Sequence, residues 1–219
     1  MIAPSPPSVR PLPRSPSMGG VLGRLAALAA ATVLALAPPA TFASAEAPAP
    51  AREASGPKRS FREYAPPSVR LVRADGKVVS LADEMDDGRP IVLNFIFTTC
   101  TSICPLMSSI FEQFEQRLGP DADKVHLMSI SIDPEHDTPA RLVEYARRFH
   151  AGPEWQHYTG TLDASVAAQR AFDVYRGGKM SHSLVTLLRA GPGKPWLRLE
   201  GWVTPDQLVR DYRELVAAR

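Results

Sequence analysis

The chain of 219 residues carries 25 Lys and Arg against 23 Asp and Glu, and it contains two cysteines. Three of the basic residues and none of the acidic ones precede residue 46, so the chain from residue 46 onwards has a net charge of −1. This near-neutral net charge argues against a nucleic-acid-binding protein, which would need a basic surface. The roughly 150 residues after the N-terminal segments are enough to bury one hydrophobic core without a disulfide framework.

The first 45 residues have the pattern of a secretory signal peptide. Three arginines precede an apolar, alanine-rich stretch over residues 25–37, and the small residues 43–45 suit a cleavage site. An uncleaved N-terminal anchor is the alternative, because residues 21–45 reach the length of a membrane span. We therefore expect an exported protein, in the periplasm or at the extracytoplasmic face of the membrane, with membrane association if the leader is retained.

Two segments follow this leader. Residues 46–66 are rich in proline and alanine and lack hydrophobic periodicity, which predicts a flexible linker. Residues 67–219 are predicted to form one domain that opens with a β-hairpin. Two short apolar runs there flank Asp75-Gly76, a dipeptide that supplies the positive φ angles of a tight turn.

Strands and helices then alternate along the domain. Residues 91–97 and 125–132 are two apolar segments, rich in β-branched residues and as long as typical strands. One predicted helix connects them, which is the pattern of adjacent parallel strands. The later predicted elements are a helix from Pro139, a strand at 155–159, a helix at 163–172, a hairpin of 183–188 with 196–203, and a final helix begun by Thr204 and Pro205. The pattern indicates an α/β fold with a central mixed sheet flanked by helices and ligand sites at strand ends.

Both cysteines lie in the segment Cys-Thr-Ser-Ile-Cys-Pro, from Cys100 to Pro105. This segment follows the predicted strand at 91–97 and leads into a predicted amphipathic helix at 105–118. The apolar face of that helix consists of Leu106, Ile110, Phe111, Phe114 and Leu118. Pro105 suits the first turn of that helix and disfavours helical dihedral angles at Cys104. Unpaired N–H groups at a helix N-terminus favour thiolates, which predicts a lowered pKa for both cysteines. Such a pair binds a metal ion or forms a disulfide.

His182, at the start of the strand at 183–188, is the best placed of five histidines to act as a third ligand; the alternative is a surface or capping histidine. Two thiolates and one imidazole suit Cu(I), or Cu(II) with a further oxygen ligand, whereas closed zinc sites take four protein ligands. Asp133 and Met180 are candidate auxiliary groups, although Asp-Pro also starts ordinary turns. The remaining histidines are expected to be structural or exposed: His126, His136, His150 and His157.

A disulfide between Cys100 and Cys104 is the other chemistry that the pair permits. Four-residue spacing in a regular helix holds the Cβ atoms about 5–6 Å apart, which is wider than a relaxed disulfide. An inert structural disulfide is therefore disfavoured. A redox-active pair would make the protein a thiol-disulfide oxidoreductase, with the two cysteines as catalytic residues.

Three sequence blocks resemble the Sco/SenC family: residues 94–105, residues 131–139 and Ser181-His182-Ser183. The resemblance implies a thioredoxin-like fold with an added N-terminal hairpin and one copper ion per chain, held by Cys100, Cys104 and His182. It also implies delivery of copper to an apo-copper protein such as a respiratory oxidase subunit, or reduction of that partner's cysteines with the help of a thiol reductant. Ser181 stands where an aspartate usually precedes the histidine, and Thr101 stands where many members have proline.

Overall fold

A computed structural model describes residues 56–218, so the predicted signal peptide lies outside the described residues. No helix within that part of the chain is long and apolar enough to cross a membrane. The strands are β1 Lys58–Arg62, β2 Arg70–Arg73, β3 Val78–Ser80, β4 Ile91–Ile96, β5 His126–Ser131, β6 Trp155–Gly160, β7 Val185–Arg189 and β8 Trp196–Glu200. The helices are α1 Leu81–Met85, α2 Ile103–Leu118, α3 Pro139–Arg148, α4 Leu162–Ala171 and α5 Pro205–Ala217, with 3-10 turns at Gly119–Lys124 and Lys179–Ser181.

The strands form one mixed sheet in the order β1-β8-β7-β4-β5-β6-β2-β3. β4, β5 and β6 are parallel neighbours, and the other pairs are antiparallel. The predicted parallel pair is confirmed, and so is the N-terminal hairpin, in which β2 pairs with β3 and also with β6. The fold class predicted from the pattern is therefore correct.

β1 corrects the predicted boundary between linker and domain. It lies inside the segment 46–66, where a flexible linker was expected, and it pairs with β8 in the register Lys58 with Glu200. Its side chains are mostly exposed, so the strand has no apolar alternation to reveal it. Its lysine and arginines are the charges that often protect an exposed sheet edge. The folded domain thus begins earlier than residue 67.

The core lies on both faces of the central strands, where every residue of β4 and β5 is buried. α2 packs a buried stripe that includes Met107, Phe111 and Phe114 against this sheet, and Phe114 meets the ring of Tyr212 on α5 edge-on at 5.4 Å. Leu106, which we predicted on the apolar face of this helix, is 51% exposed instead. The helix turns this residue away from the stripe, because Met107 occupies the core-facing position.

Side-chain caps fix the N-termini of two helices, α3 and α5. The Thr138 hydroxyl accepts a hydrogen bond from the Arg141 N–H, with Pro139 at the first helical position, as the sequence predicts. Thr204 caps α5 in the same way through the Gln207 N–H. These helix starts follow from local chemistry alone.

Candidate metal centre

The cysteine segment and His182 meet at one edge of the sheet. The cysteine segment follows the carboxyl end of β4, and His182 precedes β7, which runs antiparallel to β4 in the neighbouring position. A cavity of about 50 Å³ lies between them. Its lining consists of Phe97, Cys100, Ser102, Ile103, Lys179, Met180 and His182.

Cys100 is half-buried at the N-terminus of α2. Its Sγ accepts a hydrogen bond from the Cys104 N–H at 3.4 Å, and the N–H groups of Ser102 and Ile103 also contact it. Burial raises the pKa of this thiol, but these backbone donors outweigh burial and hold the pKa below its usual range. The predicted lowering is thus reproduced at Cys100, which is the more nucleophilic sulfur.

Cys104 differs from the prediction in two respects. α2 begins at Ile103, so Cys104 is helical, and Pro105 lies within the first turn without displacing it. The side chain of Cys104 is 1% exposed, and burial raises the pKa of its thiol to about 12, with the neighbouring Cys100 adding to the rise. The expectation of a lowered pKa was wrong here, because packing in the core outweighs the helix N-terminus.

The two thiols are free in this structure and lie in contact. The contact between the thiols lowers the pKa of Cys100 and raises that of Cys104. The disulfide between them stays a prediction. The pair is divided into one readily ionised thiol and one that retains its proton.

His182 directly follows the 3-10 turn Lys179–Ser181. Its Nδ1 atom is shielded from solvent and has no hydrogen-bond partner. Burial lowers the pKa of the imidazole to about 4, so the ring is neutral at pH 7, as a metal ligand must be. An unpaired buried polar atom costs about 1–3 kcal/mol, and coordination of a metal ion would satisfy it. Together with the two sulfurs, this nitrogen matches the donor preference of copper.

Cys100 and His182 line the cavity, whereas Cys104 is buried in the core and contacts the Cys100 thiol. We compared the distances between the ligating atoms of His, Cys, Asp and Glu in the described part of the chain. Only Asp133, Glu135 and His136 form a group of three or more whose ligating atoms all lie within 4.8 Å of one another. The atoms of Cys100, Cys104 and His182 are therefore spread more widely than this. Binding a single ion with all three requires the cysteine and histidine segments to approach each other.

Asp133, predicted as an auxiliary group, lies buried just beyond β5. Its carboxylate accepts hydrogen bonds from Lys179 Nζ at 2.6 Å and from His136 Nδ1 at 3.1 Å. Burial raises the pKa of this carboxyl, but the two donors outweigh burial and lower it. Asp133 thus contacts His136 and the loop before His182, and it has no hydrogen bond to His182 itself. Met180 lines the cavity and is 84% exposed.

The other four histidines contact protein groups away from the cavity. His126 Nε2 lies 2.9 Å from the Tyr158 hydroxyl, and His150 Nδ1 lies 2.8 Å from a Glu112 oxygen. The ring of His157 packs between aromatic side chains, and His136 contacts Asp133. None of these four lines the cavity.

Two residues near the site, Asp137 and Lys179, were not predicted from the sequence. Asp137 is fully buried and accepts hydrogen bonds from the Thr98 N–H at 3.1 Å and the Ser131 hydroxyl at 2.6 Å, so it ties the start of the cysteine segment to the end of β5. Its position within the block 131–139 was a signal for this role. Lys179 had no comparable signal, because its partner lies 46 residues away.

Comparison with known proteins assigns this chain to a protein family. The SCO1/SenC family model matches residues 58–217, which covers most of the chain and all the residues of the candidate site. The chain belongs to the SCO1/SenC family.

Several curated relatives share part of this SCO1/SenC sequence. A SCO1 protein homolog from Bacillus subtilis is 36% identical over 93 residues, which cover 42% of this chain and 47% of the relative. The mitochondrial SCO1 homolog 1 of Arabidopsis thaliana is 33% identical over 109 residues, which cover 48% of this chain and 30% of the relative. The chain thus spans half or less of the length of these two proteins.

Solved structures of SCO1/SenC proteins confirm the thioredoxin-like fold. Copper-bound ScoI of Arabidopsis thaliana is 26% identical, has a TM-score of 0.59, and the match covers 71% of this chain and 99% of that one. Copper-bound yeast Sco1 is 22% identical with a TM-score of 0.61, over 72% of this chain and 91% of that one, a likeness that concerns the fold alone.

Proposed function

We propose that this protein binds one copper ion through Cys100, Cys104 and His182 and passes it to an apo-copper protein outside the cytoplasmic membrane. The observation that carries the proposal is the buried, unpartnered Nδ1 of His182, which belongs to the same cavity as the low-pKa thiol of Cys100. Relatives of similar fold include copper-bound Sco proteins. Bacillus BsSco, described as a member of the Sco family of cytochrome c oxidase assembly proteins, supports a respiratory oxidase as the client.

Each residue has a distinct task in this function. Cys100 offers a sulfur that ionises readily, and His182 offers a neutral nitrogen. Cys104 offers the second sulfur, but it must first release its proton to solvent. Two sulfurs and one nitrogen suit Cu(I), and Cu(II) would require a further oxygen ligand.

Transfer by ligand exchange requires that the acceptor's own ligands reach the metal. We expect the acceptor to reach the ion at the cavity lined by Cys100, Met180 and His182 and to exchange the ligands one at a time. Met180, exposed at the rim, offers a thioether that can contact the metal during this exchange. Asp133 contributes through its ion pair with Lys179.

A thiol-disulfide oxidoreductase is the second candidate, favoured by the contact between thiols of unequal pKa. The Cys100 thiolate would attack a partner disulfide, form a mixed disulfide and release one partner thiolate. Cys104, after losing its proton, would attack the Cys100 sulfur and release the second partner thiolate. The partner is thereby reduced and the Cys100–Cys104 pair is oxidised, so a thiol reductant must regenerate it.

The proposed location rests on the sequence of the leader and on relatives. Residues 1–45 are proposed as the signal peptide or anchor, followed by a linker up to β1. A SCO1/SenC family lipoprotein is known from Bacillus anthracis, and the relative from Arabidopsis is mitochondrial. These relatives agree with a protein that works at the outer face of an energy-transducing membrane.

Copper titration of the reduced protein without oxygen tests the proposal. We expect about one copper per chain, lost in Cys100→Ser and bound more weakly in His182→Ala, because each variant removes a ligand. His150→Ala is the matched control, because it removes an exposed histidine far from the cavity. Unchanged copper binding by Cys100→Ser would overturn the proposal. If His182→Ala retains thiol exchange while the wild type binds no copper, the oxidoreductase is the function.

A further inference from the structure

The segment that carries His182 has few connections to the rest of the domain. This segment, residues 176–182, is called the His182 loop below. Its backbone hydrogen bonds are local: the Ser181 N–H donates to Gly178 and the His182 N–H donates to Lys179. The hydrogen bonds and ion pair that Arg176 makes with described residues are local and go to the carbonyls of Tyr175 and Asp173 and to the Asp173 carboxylate. The loop is therefore not fixed by a strand or a long helix.

Lys179 provides the loop's side-chain link to another element. Its Nζ atom lies 2.6 Å from Asp133 Oδ2 and 5.8 Å from the centroid of the Phe97 ring. Among the described residues, no other side chain of residues 177–182 has a hydrogen bond or ion pair with a different part of the fold. One ion pair thus connects the His182 loop to the segment after β5, and the same lysine lies over the ring of Phe97, which lines the cavity beside Cys100.

The Asp133 end of this pair is rigid. The Asp133 N–H donates to the Ser131 hydroxyl at 3.0 Å, and the Asp133 carbonyl accepts from the N–H groups of His136 and Asp137. The Asp133 side chain is 7% exposed and that of Lys179 is 34% exposed. A partly buried pair on a rigid anchor contributes more than an ion pair between two mobile surface side chains.

We propose that Lys179 is a positioning residue whose ion pair with Asp133 acts as a latch, holding the His182 loop against the cavity that contains Cys100. This inference rests on the proposed copper site and adds to it the group that keeps its third ligand in place. The ligating atoms are not yet close enough for one ion to bind all three. The latch allows the small approach that binding requires and prevents the loop from moving away.

Opening of the latch is the step at which we expect the copper ion to be released. When the pair opens, His182 leaves the cavity with its loop, while Cys100 and Cys104 stay on α2 and the segment before it. The ion then keeps its two sulfur ligands and lacks its nitrogen ligand, which exposes it to an incoming thiol. The rate of copper release should therefore follow the opening of the Lys179–Asp133 pair.

Two measurements on Lys179→Ala and Lys179→Arg test the latch. Hydrogen exchange of the metal-free protein should show about twofold to fivefold faster exchange at the amides of residues 177–182 in Lys179→Ala, with α2 and β4 unchanged. Copper release to a chelator should accelerate by a similar factor. Lys179→Arg should restore both rates towards those of the wild type, because it keeps a cationic donor. Lys194→Ala, an exposed lysine in the turn between β7 and β8, is the control.

The outcomes separate the latch from the proposed function. Wild-type exchange rates in the loop of Lys179→Ala would overturn the latch, whatever the protein does with copper. Failure of the wild type to bind copper would overturn the proposed function, while hydrogen exchange would still decide the latch. Global loss of protection in Lys179→Ala would also contradict the proposal, because the residue would then support the whole fold.

Discussion

The Cys104 backbone N–H donates a hydrogen bond to the Cys100 sulfur at 3.4 Å, while the Cys104 thiol itself is buried beneath the first turn of α2. The same turn therefore stabilises one thiolate and shields the other sulfur. This asymmetry has consequences for reactivity and for proton release, and both can be measured.

Alkylation should distinguish the two cysteines. At pH 7, iodoacetamide should modify Cys100 much faster than Cys104, because the pKa of Cys100 is below its usual range and that of Cys104 is about 12. Peptide mass spectrometry after short reaction times measures both rates. Cys104→Ala should shift the pH profile of Cys100 upwards, since it removes the side chain whose contact lowers the pKa of Cys100. Equal rates at the two thiols would contradict the assignment.

Copper uptake should release protons, and Cys104 should supply one of them. At pH 7 to 8 the Cys104 thiol is protonated, whereas His182, with a pKa of about 4, is already neutral. Affinity should therefore fall as the pH falls, through proton competition at the sulfurs. Calorimetry in buffers of different ionisation enthalpy counts the protons. His182→Ala should leave the count unchanged, and a count of zero would show that Cys104 does not ligate the metal.

Buried His157 should make the domain less stable in mild acid. Its folded pKa of about 4 lies below the unfolded value near 6.5, so the unfolded chain binds more protons between these values. The free energy of unfolding should drop by up to about 3 kcal/mol from this group as the pH falls from 6.5 to 4. Urea unfolding at both pH values measures the drop. His157→Gln should show a smaller drop than the wild type, and an equal drop would argue against a neutral His157.

Removal of the Asp137 carboxylate should weaken the join between β5 and the cysteine segment. Asp137→Ala should lower the free energy of unfolding by about 2–4 kcal/mol, because the Thr98 N–H and the Ser131 hydroxyl lose their buried acceptor. Asp137→Asn should cost less, since it keeps one acceptor oxygen. Chemical denaturation provides the measurement, with exposed Glu144→Ala as the control. A change under about 0.5 kcal/mol in Asp137→Ala would show that water replaces the carboxylate.

β1 should contribute to stability through Arg59, whose Nη1 lies 3.0 Å from the fully buried carboxylate of Asp211 on α5. Arg59→Ala should destabilise the domain by about 1–2 kcal/mol, because Asp211 loses its cationic partner and solvent relieves part of the cost. Lys58→Ala is the neighbouring control, since Lys58 is largely exposed and contacts Glu200 only at 3.9 Å. Equal effects in thermal or urea unfolding would mean that β1 is held by its backbone alone.

The features that could be predicted from the sequence are those determined by residues close to one another along the chain. The parallel pair β4 and β5, the caps at Thr138 and Thr204, and the turn at Asp75-Gly76 all follow from short-range pattern and side-chain chemistry. The resemblance to a family supplied His182 as a third ligand, which local reasoning left open.

The features that it missed depend on distant parts of the chain. β1 is recognised only by its pairing with β8, and Lys179 only by its contact with Asp133. The pKa of Cys104 follows from burial in the assembled core, which the helix N-terminus does not reveal. Each of these errors arose where tertiary packing outweighed a local preference.

The antiparallel pairing of β4 with β7 makes the spacing between Cys100 and His182 a matter of strand register. Four residue pairs, from Ile91 with Arg189 to Asn94 with Thr186, define this register. A slip of one residue would shift one strand by about 3.3 Å and reverse its faces, whereas metal–ligand distances tolerate only about 0.2 Å. Insertions in the turn between β7 and β8 leave the register intact. A single insertion within β7 would displace His182 relative to Cys100 and would also reverse the buried side chains of the strand, so length variation should be far rarer in that strand than in the turn that follows it.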